Sequence, residues 1–242
     1  MATRGVADIV FCLDASGSMS PCFEGVRSHV GDFIKGLNSG GQSVLDVRFD
    51  FAAHRCVAEG VVPGLQMESV YNRSVLTALY GATSQTQRFF SHDVEEVRRR
   101  LTEIRTESDE ASLLALDCVL DFPWRRAAAC HRVVILMTDE AFETGAWQAP
   151  QVALLGDLIR KIQDLRVMLY LVTPESEVFT RLSEVDKCEH IVVDTSGDGL
   201  KGVDFGEVLG FIGKSVSAST LQAPEPAAPT RALYGQATWR TN

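Results

Sequence analysis

Three short stretches of the chain are almost wholly apolar: Val6–Leu13 (VADIVFCL, interrupted by Asp8), His131–Thr138 (HRVVILMT) and Arg166–Thr173 (RVMLYLVT). Runs of this length between polar boundaries predict strands buried on both faces, as in a parallel sheet covered by helices. Glu189–Asp194 (EHIVVD) predicts a further strand. Val44–Ala53 behaves differently. Leu45, Val47, Phe49 and Phe51 alternate with Asp46, Arg48 and Asp50, which predicts a strand with one wet face near a sheet edge. Cys56–Val62 predicts another strand or a hairpin arm, and residues 63–92 a short helix or edge element plus a loop.

Spacings of three and four mark the helices between these strands. Cys22–Leu37 has Phe23, Val26, Val30, Phe33, Ile34 and Leu37 on one face, opened by Ser20-Pro21 and stopped by Asn38-Ser39-Gly40-Gly41. Asp93–Ile104 has Asp93 at its cap and Val94, Val97, Leu101 and Ile104 inward. Ala111–Phe122 ends at Pro123. Pro150–Leu165, a short helix from Pro174 to about Val185, and Asp204–Val216 complete the set. Strands alternating with helices predict one doubly wound α/β domain, Rossmann-like in its layering. From Ser217 the composition shifts, and Ala223–Thr230 (APEPAAPT) buries too little to fold alone, so the domain is expected over 1–221 and a Pro/Ala-rich tail over 222–242. Arg231–Trp239 (RALYGQATW) echoes Thr77–Ser84 (TALYGATS), either by chance or as a segment that docks.

A formal charge of −9 turns expectation away from nucleic acid and anionic membrane as partners. The one basic run, Arg98-Arg99-Arg100, lies among Glu95, Glu96 and Glu103 and reads as a solvated helix face. Six cysteines without a CxxC pair, several in apolar surroundings, read as small hydrophobes. The start has no leader-like hydrophobic region, and no apolar run reaches 18 residues, so a reducing cytoplasm is the expected compartment.

The chemistry gathers after the buried strands. Asp14-Ala15-Ser16-Gly17-Ser18 follows the first, Asp139 follows the most apolar one, and Ser108-Asp109 lies between two middle helices. Carboxylates with serine hydroxyls form a hard-oxygen set suited to Mg²⁺ or Mn²⁺ completed by water, and poorly suited to zinc. The plainer alternative is that the aspartates cap helices and the serines shape turns.

The chain resembles a von Willebrand factor type A (vWA) domain, whose metal-ion-dependent adhesion site (MIDAS) begins D-x-S-x-S. Asp14-Ala15-Ser16-Gly17-Ser18-Met19 carries that motif, and Thr138-Asp139 after its strand carries the family's later aspartate motif. The resemblance covers about residues 6–216. It implies a mostly parallel central sheet with one antiparallel edge strand, and Asp14, Ser16, Ser18 and Asp139 as metal ligands. The family's middle ligand is commonly a threonine on a glycine-rich loop, and in one branch an aspartate in G-G-G-D-x-P-E. This chain has Glu107-Ser108-Asp109-Glu110-Ala111-Ser112-Leu113, without those glycines, the proline or the later glutamate. Asp109 matches the branch's aspartate, with Ser108 as the alternative, and Trp124-Arg125 also looks like that branch.

In the family such a domain is a binding module whose cation bridges to an acidic side chain of a partner protein. Intracellular relatives serve as adaptors beside AAA+ ATPases or in other multiprotein systems. On this reading Glu140 and Phe142–Trp147 rim the site, and His54 hydrogen-bonds its edge. A Mg²⁺-dependent hydrolase or phosphoryl-transfer enzyme is the rival, but no phosphate-binding glycine motif and no catalytic histidine spacing is present. A structural interaction protein with a vestigial site is the third possibility.

Overall fold

β1 (Val6–Asp14) is the axis of the molecule in the computed structural model, which describes residues 5–37, 45–59, 62–72, 88–108, 111–127, 130–140, 148–193 and 198–221. It pairs in parallel with β2 (Asp46–Glu59) on one side and β4 (His131–Met137) on the other. β3 (Val62–Glu68) adds to β2 as an antiparallel edge, and β5 (Val167–Pro174) and β6 (Cys188–Val193) extend the other wing in parallel. The order β3-β2-β1-β4-β5-β6 and helices on both faces make an α/β doubly wound fold. The direction of winding reverses between β1 and β4, and ligands of open α/β sheets sit beyond the carboxyl ends of strands at such a switch point.

Alternation along β1 divides the core in two. Ala7, Ile9, Phe11 and Leu13 face α1 (Ser20–Leu37), α2 (Val94–Leu101) and α6 (Phe205–Leu221). Val10 and Cys12 face α3 (Ser112–Leu120), α4 (Gln148–Leu165) and α5 (Glu177–Ser183). Asp8 and Asp14 fall on this second face by the same alternation. α1 and α6 approach closely enough that a Cβ at Gly213 would lie 2.3 Å from Phe33 O.

The sequence pattern misplaces several elements. β2 does not stop at Ala53 but runs 14 residues to Glu59, absorbing part of the hairpin arm expected over Cys56–Val62. Nor is its polar face wet throughout, since Asp46 and Arg48 are only part exposed. Asp50 is fully buried, with Oδ1 accepting from Phe51 N (2.9 Å) and Val70 N (3.0 Å), and Oδ2 from Phe90 N (2.9 Å). Burial pushes its carboxyl up to about 6 in spite of those three donors. The alternation signalled a half-exposed strand, but β2 is internal, paired on both sides, with Asp50 satisfied by backbone and Asp46 by the Arg125 guanidinium.

Pro174 closes β5 rather than opening a helix. α5 begins at Glu177, capped by Ser176, whose hydroxyl accepts from Phe179 N. α2 ends three residues earlier than its spacing suggests, and Asp93 caps it by accepting from Glu95 N and Glu96 N. α6 continues past Val216 to Leu221. The triple-arginine run is only partly a solvated face. Arg98 and Arg99 pair with Glu95 and Glu103, but Arg100 is buried, with Nε donating to Val70 O and Nη1 to Glu103. All six cysteines lie among the described residues, and no disulfide joins any of them. Residues 73–87 and the 222–242 tail, including both copies of the LYG echo, lie outside the described residues.

Candidate metal centre

The carboxyl ends of β1 and β4 bring four of the five expected site residues together. β1 ends on Asp14, and its register with β4 runs to Leu13 opposite Met137, so Thr138 and Asp139 come next to Asp14. Asp14 is fully buried. Its Oδ1 accepts from Ser16 N at 2.7 Å and its Oδ2 from Thr138 Oγ1 at 2.7 Å. Ser16 is extended (φ −61°, ψ 167°) and leads into a tight turn, Gly17–Met19, closed by Met19 N on Ser16 O. That turn places Ser18 Oγ 3.3 Å from Ser16 Oγ, and Ser18 Oγ donates to Asp139 Oδ1 at 3.0 Å. Asp139 is also buried, and its Oδ2 accepts from Gly199 N at 2.7 Å.

The two carboxylates therefore share one chain of neutral hydrogen bonds. Among the described residues neither forms an ion pair with Lys, Arg or His. Burial pushes the Asp14 carboxyl up to about 7, the hydrogen bonds from Ser16 and Thr138 pull it down, and the charge of Asp139 adds to the rise.

Of the middle loop, the structure describes residues up to Ser108. Glu107 N donates to Ala15 O at 2.9 Å, Ser20 Oγ and Thr106 Oγ1 are 2.5 Å apart, and Arg55 Nη1 donates to Arg105 O at 3.1 Å. The loop thus crosses directly over the end of β1. Ser108 follows at φ +65°, exposed, and its hydroxyl makes no hydrogen bond among the described residues. Asp109 lies outside the described residues, as does the expected rim segment Phe142–Trp147. Glu140 is exposed at the mouth, its N–H donating to Thr138 Oγ1.

His54 corrects one expectation. It sits in mid-strand, in register with Asp14 on one side and Met67 on the other, fully buried, and among the described residues neither ring nitrogen has a hydrogen-bond partner at the rim or elsewhere. Burial lowers its pKa to about 3 and keeps it neutral. Its backbone is what serves the site, since His54 O accepts from Ala15 N at 2.7 Å.

Two residues contribute in ways that the motif reading does not assign. Thr138 precedes the motif aspartate and reaches across to Asp14, a neighbour that strand register alone can reveal. Gly199 lies 60 residues from Asp139, in the loop between β6 and α6, and nothing in its local sequence singles it out.

Two carboxylates and two hydroxyls at one point form a donor set of hard oxygens, which fits Mg²⁺ or Mn²⁺. Among the described residues no three His, Cys, Asp or Glu side chains come together as a metal-holding group. Any cation here would therefore draw on the serine hydroxyls and water as well as on Asp14 and Asp139.

Comparison with known proteins bears on the fold. No family model and no curated protein matches the chain. Among solved structures, proximal thread matrix protein 1 from the mussel byssus superposes with a TM-score of 0.51 at 15% identity, over 87% of this chain and 47% of that one. The pilus adhesin SpaC of Lactobacillus rhamnosus GG, in its open conformation, gives 0.51 at 13% identity, over 88% of this chain and 30% of that one. The fold is vWA-like. At this identity the likeness is one of fold alone, and the chain spans less than half the length of either neighbour. No helix among the described residues is long and apolar enough to cross a membrane.

Proposed function

We propose that this protein is a divalent-cation-dependent protein-binding module, an adaptor whose metal bridges to a carboxylate of a partner protein. One observation carries the reading. Asp14 and Asp139 are both buried, are linked through Ser16 and Ser18, and among the described residues are supplied with neutral donors only. Two buried carboxylates in such proximity favour a cation between or above them over any neutral occupant.

Asp14, Ser16, Ser18 and Asp139 would hold the ion, Mg²⁺ or Mn²⁺, with Asp109 or Ser108 from the crossing loop as the further ligand. The bound cation supplies an electrophilic position for an incoming carboxylate. Ser16 and Ser18 add no charge, so as ligands they take nothing from the ion's pull on that position. Thr138 fixes the Asp14 carboxylate without entering the ligand set. The rim residue Glu140 is exposed and available to a partner.

Binding is favoured over turnover by the state of His54. The histidine in register with Asp14 is fully buried in mid-strand and burial makes it a weak base, so it is no general base for a water at the mouth. The two structural neighbours are, by name, a matrix protein and a pilus adhesin, in keeping with an interaction module. The apolar burial of Cys12, Cys22, Cys56 and Cys130, which act as small hydrophobes, is in keeping with a reducing compartment such as the cytoplasm.

The test is calorimetric titration of the full chain with MgCl₂ and MnCl₂, followed by affinity capture with and without Mg²⁺ for the intact protein and Asp14→Ala. The reading expects saturable binding lost in the variant, and a partner recovered only with cation and the intact site. Capture indifferent to both changes, or Mg²⁺-dependent hydrolysis abolished by Asp14→Ala, overturns it.

A further inference from the structure

The cup has a fourth wall that the D-x-S-x-S and Thr-Asp segments do not supply. We infer that the turn Asp198–Leu200, between β6 and α6, is a positioning element of the cation site, with Gly199 setting both the Asp139 carboxylate and the Ser18 backbone. The inference rests on the metal-binding reading above and assigns a residue that the reading does not require.

The geometry at Gly199 is tight in three directions. Its N–H donates to Asp139 Oδ2 at 2.7 Å, opposite the Ser18 hydroxyl on Oδ1. Its φ is +67°, a left-handed conformation that L side chains rarely adopt. A Cβ built on it would lie 2.1 Å from Ser18 O and 2.7 Å from Pro21 Cδ. The first of these is a backbone atom, so relief requires the Gly17–Met19 turn or the Gly199 turn itself to move.

The turn is not free to yield. Leu200 is also left-handed, at φ +61°, and its side chain is buried in the core shared by α1 and α6. Val203 N closes on Leu200 O at 2.9 Å. Asp139 is therefore aimed from two sides, by a hydroxyl in the turn after β1 and by an amide in the loop after β6. Second-layer hydrogen bonds of this kind orient metal ligands, and their loss weakens affinity by about 10- to 100-fold.

Gly202 provides the control. It lies in the same loop, and a Cβ there meets nothing within 4 Å. The experiment has two arms on the full chain. In the first, Mn²⁺ affinity is measured by calorimetry for wild type, Gly199→Ala and Gly202→Ala, with thermal unfolding run on each. The expected result is affinity at least about 10-fold weaker in Gly199→Ala and unchanged in Gly202→Ala.

The second arm needs no variant and so survives a Gly199→Ala chain that fails to fold. Backbone amide resonances of the wild type are followed during titration with Mg²⁺. The Gly199 amide is expected to shift together with that of Ser16, which reports on Asp14, while Gly202 stays in place. A Gly199 amide unmoved at saturation while Ser16 shifts, or a folded Gly199→Ala chain with wild-type affinity, overturns the inference alone. A wild type that binds neither ion overturns the reading of the site, and this inference with it.

Discussion

One strand carries two buried aspartates on the same face, and they are treated in opposite ways. Asp8, at the start of β1, accepts from Arg48 Nε and Nη2 at 2.8 and 2.6 Å, and from Arg125 N and Nε at 2.8 Å each. Arg125 also reaches Asp46 Oδ2 and the backbone oxygens of Ala7 and Asp46. Burial alone would raise the Asp8 carboxyl, but these hydrogen bonds and charges outweigh it and hold it below the ordinary carboxylate value. Asp14, six residues on and equally buried, has no cationic partner among the described residues, and its carboxyl rises to about 7. The same fold thus surrounds one buried acid with cations and the other, among the described residues, with neutral donors only, the arrangement that the proposed reading asks of a metal ligand. Burial by itself does not separate the two roles, whereas the identity of the donors does.

The largest effect should come from breaking the clamp. Asp8→Ala leaves the Arg48 and Arg125 guanidiniums without their shared carboxylate, and should cost about 3–5 kcal/mol in urea denaturation. Mn²⁺ affinity of the folded fraction should not change, because the network lies at the other end of the sheet. A large fall in affinity at unchanged stability would erase the distinction between the ends.

Next is the cation itself. Saturating Mn²⁺ at a hundred times its Kd should raise the unfolding free energy of the wild type by about 2.7 kcal/mol. The gain should disappear in Asp14→Asn and Asp139→Asn, and persist in Arg48→Lys.

The third effect is a pH slope with a defined sign. Asp14's folded pKa of about 7 exceeds the ordinary carboxylate value of 3.8, so between those values the folded state binds the proton more tightly. This group therefore stabilises at low pH, and its contribution is lost as pH rises toward 7, by up to about 1.4 kcal/mol per pH unit. In metal-free protein, wild type should lose stability relative to Asp14→Asn across that window. Asp8 acts with the opposite sign, because its lowered pKa makes its contribution fail as pH falls. Curves in which wild type instead gains stability over Asp14→Asn as pH rises would place Asp14 with Asp8, as an acid satisfied by its surroundings.

Smaller effects sharpen the picture further. His54→Leu removes two buried nitrogens that lack partners and should leave the protein as stable or more stable by about 1 kcal/mol, read by thermal unfolding. Gly17→Ala places a Cβ where nothing lies within 4 Å and should change stability by less than about 0.5 kcal/mol, although Gly17 stands inside the most recognisable motif of the chain.

That last contrast measures how far the sequence could be read. The buried strands β1, β4 and β5 were legible because a run of apolar residues has few other uses. Asp14, Ser16, Ser18 and Asp139 were legible because they follow those strands in a known spacing. β2 was misread because alternation reports two environments, and backbone donors or ion pairs can supply the second as well as water can. Asp50 and Arg48 look solvated in sequence for that reason. Thr138 required the β1–β4 register, which local sequence does not encode. Gly199 required knowledge of which loop returns over β4, a fact of topology that no motif states.

The partners of β1 also bear on how the chain is made. Asp8 is met by Arg125 across 117 residues, and Asp14 by Thr138 across 124. On the ribosome the first strand therefore emerges apolar, and for the span of more than a hundred further residues it has neither β4 beside it nor the arginine and threonine that accommodate its acids. A nascent chain halted before residue 125 carries β1 without these partners, and apolar strands left uncovered in this way are where folding intermediates tend to aggregate.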